Sequence, residues 1–251
     1  MQDSNPIVTA KNVSLHFELQ HYFHNSIRDK FIRAITNPIE TFFKENEILR
    51  ILDDVNFEIK KGDRLGIIGV NGTGKTTLCR CLVGMYKPQK GKIVVNGVAR
   101  GIFDTSTGIM PELTGRENAY LLARLFYPTI KDLRPIVEEA LTFSELGHFV
   151  DIQFKQYSKG MQSRLALSII SSVPADLLIL DEVFDGADVF FQTKIANRMK
   201  KLIENSGAVV FVSHSVDQVR ELCNRLIILD SSKVRYDGSV DKGIETYLNS
   251  R

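Results

Sequence analysis

The residues best suited to chemistry form one short run, Gly69-Val70-Asn71-Gly72-Thr73-Gly74-Lys75-Thr76-Thr77, which has the spacing G-x-x-x-x-G-K-[ST] of a phosphate-binding loop. Glycines at these places let backbone N–H groups point inward and form an anion-binding nest at the start of a helix. The short apolar stretch Arg64 to Ile68 precedes the run, and Thr76 to Val83 continues with helical spacing. The order of strand, loop and helix therefore predicts a site for ATP or GTP.

Each polar residue of this loop has an expected role. The Lys75 ammonium would reach the β- and γ-phosphates, the Thr76 hydroxyl would ligate the Mg²⁺ that bridges them, and Thr77 would add a phosphate hydrogen bond. An ordinary glycine-rich turn is the alternative, and the flanking strand and helix argue against it. The predicted nucleotide-binding residues of the loop are Gly69, Asn71, Gly72, Thr73, Gly74, Lys75, Thr76 and Thr77.

A second pair of candidate residues follows a later apolar run. The predicted strand Leu177 to Leu180 leads directly into Asp181 and Glu182. In α/β proteins, ligands bind at the carboxyl ends of the strands. Asp181 is suited to hold Mg²⁺, and Glu182 is suited to orient the attacking water as a catalytic base. The alternative is a solvated strand end without a catalytic role.

Composition sets broad limits on the function. The chain has 251 residues, is 43% hydrophobic and carries a formal net charge of +2, so charge favours neither nucleic acid nor membrane as a partner. The three cysteines lack metal-ligand spacing, and Cys79 and Cys81 are predicted to be buried thiols in a reducing compartment. No run of residues is apolar enough to cross a bilayer, so a membrane role would require a partner protein.

The remaining pattern predicts an α/β protein. Alternation predicts early strands, Asn96-Gly97 predicts a hairpin, a helix-rich section follows, and apolar strands then alternate with helices, as in a parallel sheet. The predicted strands are 7–17, 51–59, 64–68, 92–95, 98–103, 177–180, 208–212 and 226–229. The predicted helices are 76–83, 113–126, 130–146, 158–171, 188–204, 216–223 and one near Tyr247 and Leu248.

Residues 18–50 stand apart from this pattern. They carry two aromatic and basic clusters broken at Pro38, and helical spacing puts Ile27 and Phe31 on one face and Arg28 and Arg33 on another. This predicts an inserted amphipathic helix. It would be either a surface helix packed on its own domain or an interfacial element that touches a membrane or a partner.

Further along the chain, ordered motifs resemble the ATP-binding cassette (ABC) family. The segment Tyr157-Ser158-Lys159-Gly160-Met161 resembles the family signature Leu-Ser-Gly-Gly-Gln, with Ser158 and Gly160 matching and Lys159 and Met161 replacing Gly and Gln. His214, after a predicted strand, matches the switch histidine, and Asp188 matches the dimer-contact loop. A helix N-cap by Ser158 and a structural histidine are the plainer alternatives.

The resemblance implies a fold and a two-copy site. It implies a single domain over residues 1–251 with a P-loop NTPase ABC ATPase fold. This fold has a mixed sheet core, an antiparallel β subdomain and an inserted helical subdomain at about 104–165. Glu182 and His214 would be catalytic, Asp188 would couple the two sites, and Ser158 with its neighbours would cap ATP held by the other subunit.

Two family features have only approximate counterparts here. The adenine-stacking aromatic of the family is best matched by Phe17, with Tyr22 as the second choice. The glutamine loop should follow Phe103, where no glutamine occurs, so Asp104 or Thr105 would replace it.

Four segments resemble one branch of the family, the ATPases that export O-antigen, capsule or teichoic acid. They are Pro111 to Asn118, the Tyr-Ser-x-Gly-Met signature, Asp181 to Gln192, and Ser213 to Gly238. The branch implies a homodimer, a separate permease, and a peripheral place on the cytoplasmic face of the bacterial inner membrane, with no nucleic acid. Residues 231–251 would be a short C-terminal extension without the glycan-binding domain of some relatives. The alternatives are another ABC exporter or importer, or a soluble cassette acting on nucleic acid.

Overall fold

The computed structural model of the chain describes residues 5–19, 47–103, 108–181, 189–213 and 215–249. Most of the predicted amphipathic insertion, including Tyr22, lies outside the described residues. Within the described ranges the chain forms nine strands, β1 to β9, and seven α-helices, α1 to α7, numbered in chain order.

Six strands form a central sheet in the order β5-β6-β7-β3-β8-β9. The first five run parallel, and β9 pairs antiparallel with β8. Parallel strands covered on both faces need continuous apolar runs, which explains why sequence predicts them well. The strands are β3 Arg64–Ile68, β5 Ala99–Ile102, β6 Leu177–Asp181, β7 Ala208–Val212, β8 Arg225–Asp230 and β9 Lys233–Gly238.

A second, antiparallel sheet has the order β2-β1-β4, from β1 Val8–Leu19, β2 Glu47–Ile59 and β4 Lys90–Val95. The predicted hairpin at Asn96-Gly97 is wrong, because β4 pairs with β1 and β5 pairs with β6. The chain does turn there, with Gly97 at φ +112°, but it passes from one sheet to the other. A carboxylate oxygen of Asp176 accepts from the Val98 N–H at 2.7 Å and fixes this crossing.

The helices cover the central sheet and lie close to their predicted positions. Short 3₁₀ turns at Gly147–Asp151 and Phe154–Gln156 connect α3 to α4. The helices are α1 Lys75–Leu82, α2 Gly115–Phe126, α3 Arg134–Ser144, α4 Lys159–Ile170, α5 Val189–Asn205, α6 Val216–Leu222 and α7 Val240–Asn249. None of the helices within the described ranges is both long and apolar enough to cross a membrane.

Both faces of the central sheet are buried. One face, with Leu65 and Ile179, packs on α1 and the antiparallel sheet. The other face, with Leu178 and Phe211, packs on the helices α2 to α5. The carboxyl ends of β3, β6 and β7 therefore meet at one edge of a rigid, doubly covered sheet.

One buried arginine joins this sheet to the helices. Arg100 on β5 is 7% exposed, and its guanidinium lies over the Tyr127 ring at 4.5 Å. It donates hydrogen bonds to the carbonyl oxygens of Phe126, Val173 and Pro174, at the ends of α2 and of the segment after α4. A buried charge needs such partners, so Arg100 fixes where the helices sit on β5.

Candidate nucleotide-binding site

The predicted phosphate-binding loop leaves the carboxyl end of β3 and enters α1. Gly72 and Gly74 have φ values of +84° and +97°, a left-handed conformation that favours glycine. A Cβ on Gly69 would lie 2.2 Å from the Leu229 carbonyl oxygen, and one on Gly74 would lie 2.6 Å from the Ile51 carbonyl oxygen. Gly69 and Gly74 are therefore required by the close approach of backbone from β8 and β2, and the left-handed φ of Gly72 and Gly74 favours glycine as well.

Lys75 lies across this loop and is 7% exposed. Its Nζ donates to the carbonyl oxygens of Gly69 at 2.9 Å and Val70 at 3.1 Å. The Thr73 hydroxyl donates to the same Val70 carbonyl at 2.9 Å. The positive charge is thus held at the centre of the loop, where a phosphate would bind.

Asp181 is the last residue of β6 and is 6% exposed. It pairs in register with Val212 at the end of β7, which lies beside β3. Burial raises the pKa of the Cys79 thiol on α1, and the negative charge of Asp181 raises that pKa further. The positive charge of Lys75 lowers it. The carboxylate and the ammonium therefore act on the same region under the loop.

These residues fit a nucleoside triphosphate with Mg²⁺. The left-handed glycines leave a cradle of backbone N–H groups without side chains, and Lys75 supplies a positive charge inside it. The Thr76 hydroxyl and the Asp181 carboxylate provide hard oxygen ligands, the type that Mg²⁺ prefers. Cys79 and Cys81 are buried free thiols, as predicted.

The signature-like segment begins α4. Ser158 is the N-cap residue, and its Oγ accepts a hydrogen bond from the Met161 N–H at 3.2 Å. Ser158 and Lys159 are exposed, while Gly160 and Met161 are partly buried. The helix is anchored further along by fully buried residues such as Leu165. The capping role of Ser158 is thus observed, and its action on a second copy stays a prediction.

Phe17, the preferred adenine-stacking candidate, lies near the end of β1 and is 40% exposed. Its ring contacts the edge of Tyr86, with centroids 5.9 Å apart and planes at 77°. The Gln89 side chain accepts from the backbone N–H of His16 and donates to its carbonyl oxygen. Sequence reasoning missed Tyr86 and Gln89, since only the pairing of β1 with β4 brings them to Phe17.

Several predicted site residues lie outside the described residues: Asp104, Thr105, Glu182, Asp188 and His214. The residues on either side of His214 are joined by hydrogen bonds. Ser213 Oγ donates to Gln218 Oε1 at 2.8 Å and accepts from the Ser215 N–H at 3.0 Å. Ser215 in turn caps α6.

Comparison with known proteins decides the family. A family profile described as ABC transporter matches residues 52–185, from β2 to just beyond Asp181. The chain belongs to the ABC transporter family. The predicted family and the predicted α/β ABC ATPase fold are both confirmed.

Similar ABC proteins cover nearly the whole chain. The O-antigen export system ATP-binding protein RfbB of Klebsiella pneumoniae is 34% identical, over 96% of this chain and 97% of its own length. The corresponding RfbE protein of Yersinia enterocolitica is 32% identical, over 92% and 97%. Among solved structures, a dimer of the ATP-binding cassette MJ0796 bound to ADP and Pi matches with a TM-score of 0.67. That match covers 93% of this chain and 98% of the other at 22% identity, a likeness of fold.

Proposed function

We propose that this protein is the ATP-binding and ATP-hydrolysing subunit of an ABC transporter that exports a lipid-linked polysaccharide across the cytoplasmic membrane. The observation that carries the proposal is the buried Lys75 ammonium inside a glycine cradle, at the sheet edge that also holds Asp181. The names of the RfbB and RfbE relatives support export of O-antigen as the transported class. The protein would act as a homodimer on the cytoplasmic face of the bacterial inner membrane, associated with a separate permease.

The residues of one chain would bind and position the nucleotide. Loop N–H groups hold the phosphates, and Lys75 exchanges its carbonyl partners for phosphate oxygens. Phe17 stacks on the adenine. Mg²⁺, held by Thr76 and Asp181, would neutralise charge between the β- and γ-phosphates.

Other residues would complete the reaction. Glu182 orients the attacking water, and His214 contacts the γ-phosphate. Residues 158–161 of a second copy cap the same phosphate, and Asp188 couples the two sites. Asp104 or Thr105 would replace the glutamine of the glutamine loop. The site is then complete only in a closed dimer, which hydrolysis reopens.

A single substitution tests the chemistry. Glu182→Gln should keep ATP binding and lower turnover by roughly 10²-fold or more, since general-base catalysis contributes about 10²–10⁴-fold. Glu204→Gln, at an exposed glutamate on α5, is the matched control and should keep both activities. Steady-state ATPase rates and equilibrium ATP binding are the measurements. Near-normal ATPase in Glu182→Gln would contradict the assignment.

Export is tested separately in cells. Deletion of residues 24–45 should stop display of the glycan at the cell surface while the purified protein still hydrolyses ATP, if the insertion contacts the permease or the membrane. The full-length protein should also co-purify with a membrane permease. Unaltered glycan display in the deletion strain would exclude that role for the insertion, and co-purification with nucleic acid would favour a soluble cassette instead.

A further inference from the structure

The segment Pro111 to Asn118, here named the brace, takes no part in the site described above. It runs alongside residues 151–157, which lead directly into the signature-like segment. A β-bridge joins Thr114 to Gln153. Three backbone hydrogen bonds flank the bridge: Phe154 N–H to Leu113 O at 2.8 Å, Lys155 N–H to Pro111 O at 3.0 Å, and Gly115 N–H to Ile152 O at 3.1 Å.

Hydrogen bonds from one buried side chain tie the brace together. Asn118 is fully buried, and its side chain accepts from the Met110 N–H and donates to the carbonyl oxygens of Met110, Leu113 and Thr114. Thr114 and Glu117 form a capping box at the start of α2. A segment with its buried polar groups satisfied in this way has one arrangement, so it can set the position of what packs on it.

Two surface ion pairs keep the same alignment. Lys155 pairs with Glu112 at 2.7 Å, and Arg116 pairs with Asp151 at 2.9 Å. Both pairs are largely exposed, and such pairs contribute little to stability. Their consistent placement along the two segments favours one register between them.

The closest fit between brace and signature joins Gly115 and Tyr157. Tyr157 stands where the ABC signature has leucine, is 6% exposed, and donates from Oη to the Phe149 carbonyl oxygen at 2.6 Å. A Cβ on Gly115 would lie 1.9 Å from that Oη and 2.9 Å from the ring carbon Cζ. Burial raises the pKa of Tyr157 to about 12, so the hydroxyl remains a neutral donor. The ring therefore fills space that exists because residue 115 has no side chain.

We propose that Gly115 and Tyr157 are a matched pair of positioning residues that set the place of Ser158 for its action on the ATP of a second copy. Tyr157 adjoins Ser158, and the Tyr157 carbonyl oxygen accepts from Gln162 Nε2 in the first turns of α4 at 3.3 Å. Displacing the Tyr157 ring thus moves the N-cap of α4, while the phosphate loop of the same chain lies on a different element. The inference rests on the proposed function, because Ser158 acts only in a closed dimer.

The test is a double-mutant cycle in the hydrolysis-deficient Glu182→Gln parent. The variants are Gly115→Ala, Tyr157→Leu and their combination, with Tyr120→Leu on α2 as a control. ATP binding to monomers at low protein concentration and ATP-dependent dimerisation by analytical ultracentrifugation are both measured.

Gly115→Ala should leave monomer ATP affinity within about twofold and weaken dimerisation by roughly tenfold or more, because the added methyl group expels the Tyr157 ring. The double variant should recover most of this loss, since leucine lacks the ring atoms that the methyl group meets and leaves only the milder 3.1 Å approach to the Val150 carbonyl oxygen. Tyr157→Leu alone should lose less than Gly115→Ala, and Tyr120→Leu should dimerise as the parent does. A purely structural role would lower monomer affinity and dimerisation together.

The outcomes separate the two proposals. If the parent dimerises with ATP, two results would overturn the positioning role alone. In one, Gly115→Ala dimerises as well as the parent. In the other, the double variant dimerises as weakly as Gly115→Ala. If Gly115→Ala fails to fold, the proposal still predicts that the double variant folds and dimerises. A double variant that does neither would also overturn the positioning role. A parent that binds no ATP, or that does not dimerise with it, would overturn the proposed function and the positioning role with it.

Discussion

Replacing Lys75 by methionine tests the nucleotide site through its most completely defined side chain. Methionine keeps the aliphatic stem but removes the charge and the two hydrogen bonds to the carbonyl oxygens of Gly69 and Val70. Hydrogen bonds that involve a charged group contribute about 1.5–3 kcal/mol each, and water can replace part of this at Val70, which is exposed. The free energy of unfolding without nucleotide should therefore fall by about 1–3 kcal/mol.

The larger effect is expected on nucleotide binding. Loss of one charge-assisted phosphate contact worth about 2.7 kcal/mol weakens affinity roughly 100-fold. At an ATP concentration 100 times the wild-type Kd, linkage stabilises the wild type by about 2.7 kcal/mol and the variant by about 0.4 kcal/mol. For a domain of this size, ATP should therefore raise the Tm of the wild type by about 5–11 °C and that of the variant by about 1–2 °C.

Thermal unfolding with and without MgATP measures both effects on the same samples. Lys131→Met, at an exposed lysine between α2 and α3, controls for loss of a positive charge and should keep the full ATP-induced shift. A Lys75→Met protein that ATP stabilises as strongly as the wild type would refute the reasoning, whatever its stability without nucleotide.

Three further predictions concern the scaffold around the site. Arg100→Met should lower the free energy of unfolding by about 2–4 kcal/mol in urea titrations, because it deprives three carbonyl oxygens of a buried charged donor; an unchanged midpoint would contradict this. Tyr86→Leu should lower the affinity for ATP relative to tripolyphosphate about threefold, because it releases the Phe17 ring. The same substitution should have no such effect in a Phe17→Leu background. Equal losses of affinity in both backgrounds would exclude a role of Tyr86 through Phe17. Burial raises the thiol pKa to about 11 for Cys81 and to about 12 for Cys223. Because the unfolded thiols ionise near pH 8.5, stability should fall as pH rises from about 8.5 to about 12, and Cys223→Ala should flatten that fall in urea unfolding at pH 8 and pH 10.

The sequence predicts the central sheet well for a physical reason. Strands β3 and β7 are buried on both faces, so each is a short apolar run whose limits are evident without partners. The prediction of a hairpin at Asn96-Gly97 was wrong because a turn motif indicates only local conformation. It carries no information about which strands pair. The partner of β4 is β1, some 80 residues earlier in the chain.

The candidate site also has a part that the sequence predicts and a part that it does not. The phosphate loop can be predicted from the spacing of its glycines and lysine, because that spacing is a local sequence pattern. The contact of Tyr86 with Phe17 and the fit of Tyr157 against Gly115 depend on elements far apart in sequence. Such contacts need coordinates, and they supply the specific tests proposed above.

The pairing of β1 with β2 has a consequence for how this cassette could diversify. Leu19 is paired with Glu47 at the far end of the ladder, so the two strand ends that flank residues 20–46 are neighbours. The pairing of β1 with β2 therefore already compensates for the entropy lost when those two ends are brought together, whatever lies between them. We expect a short turn in place of this segment to leave the fold of the nucleotide-binding domain intact.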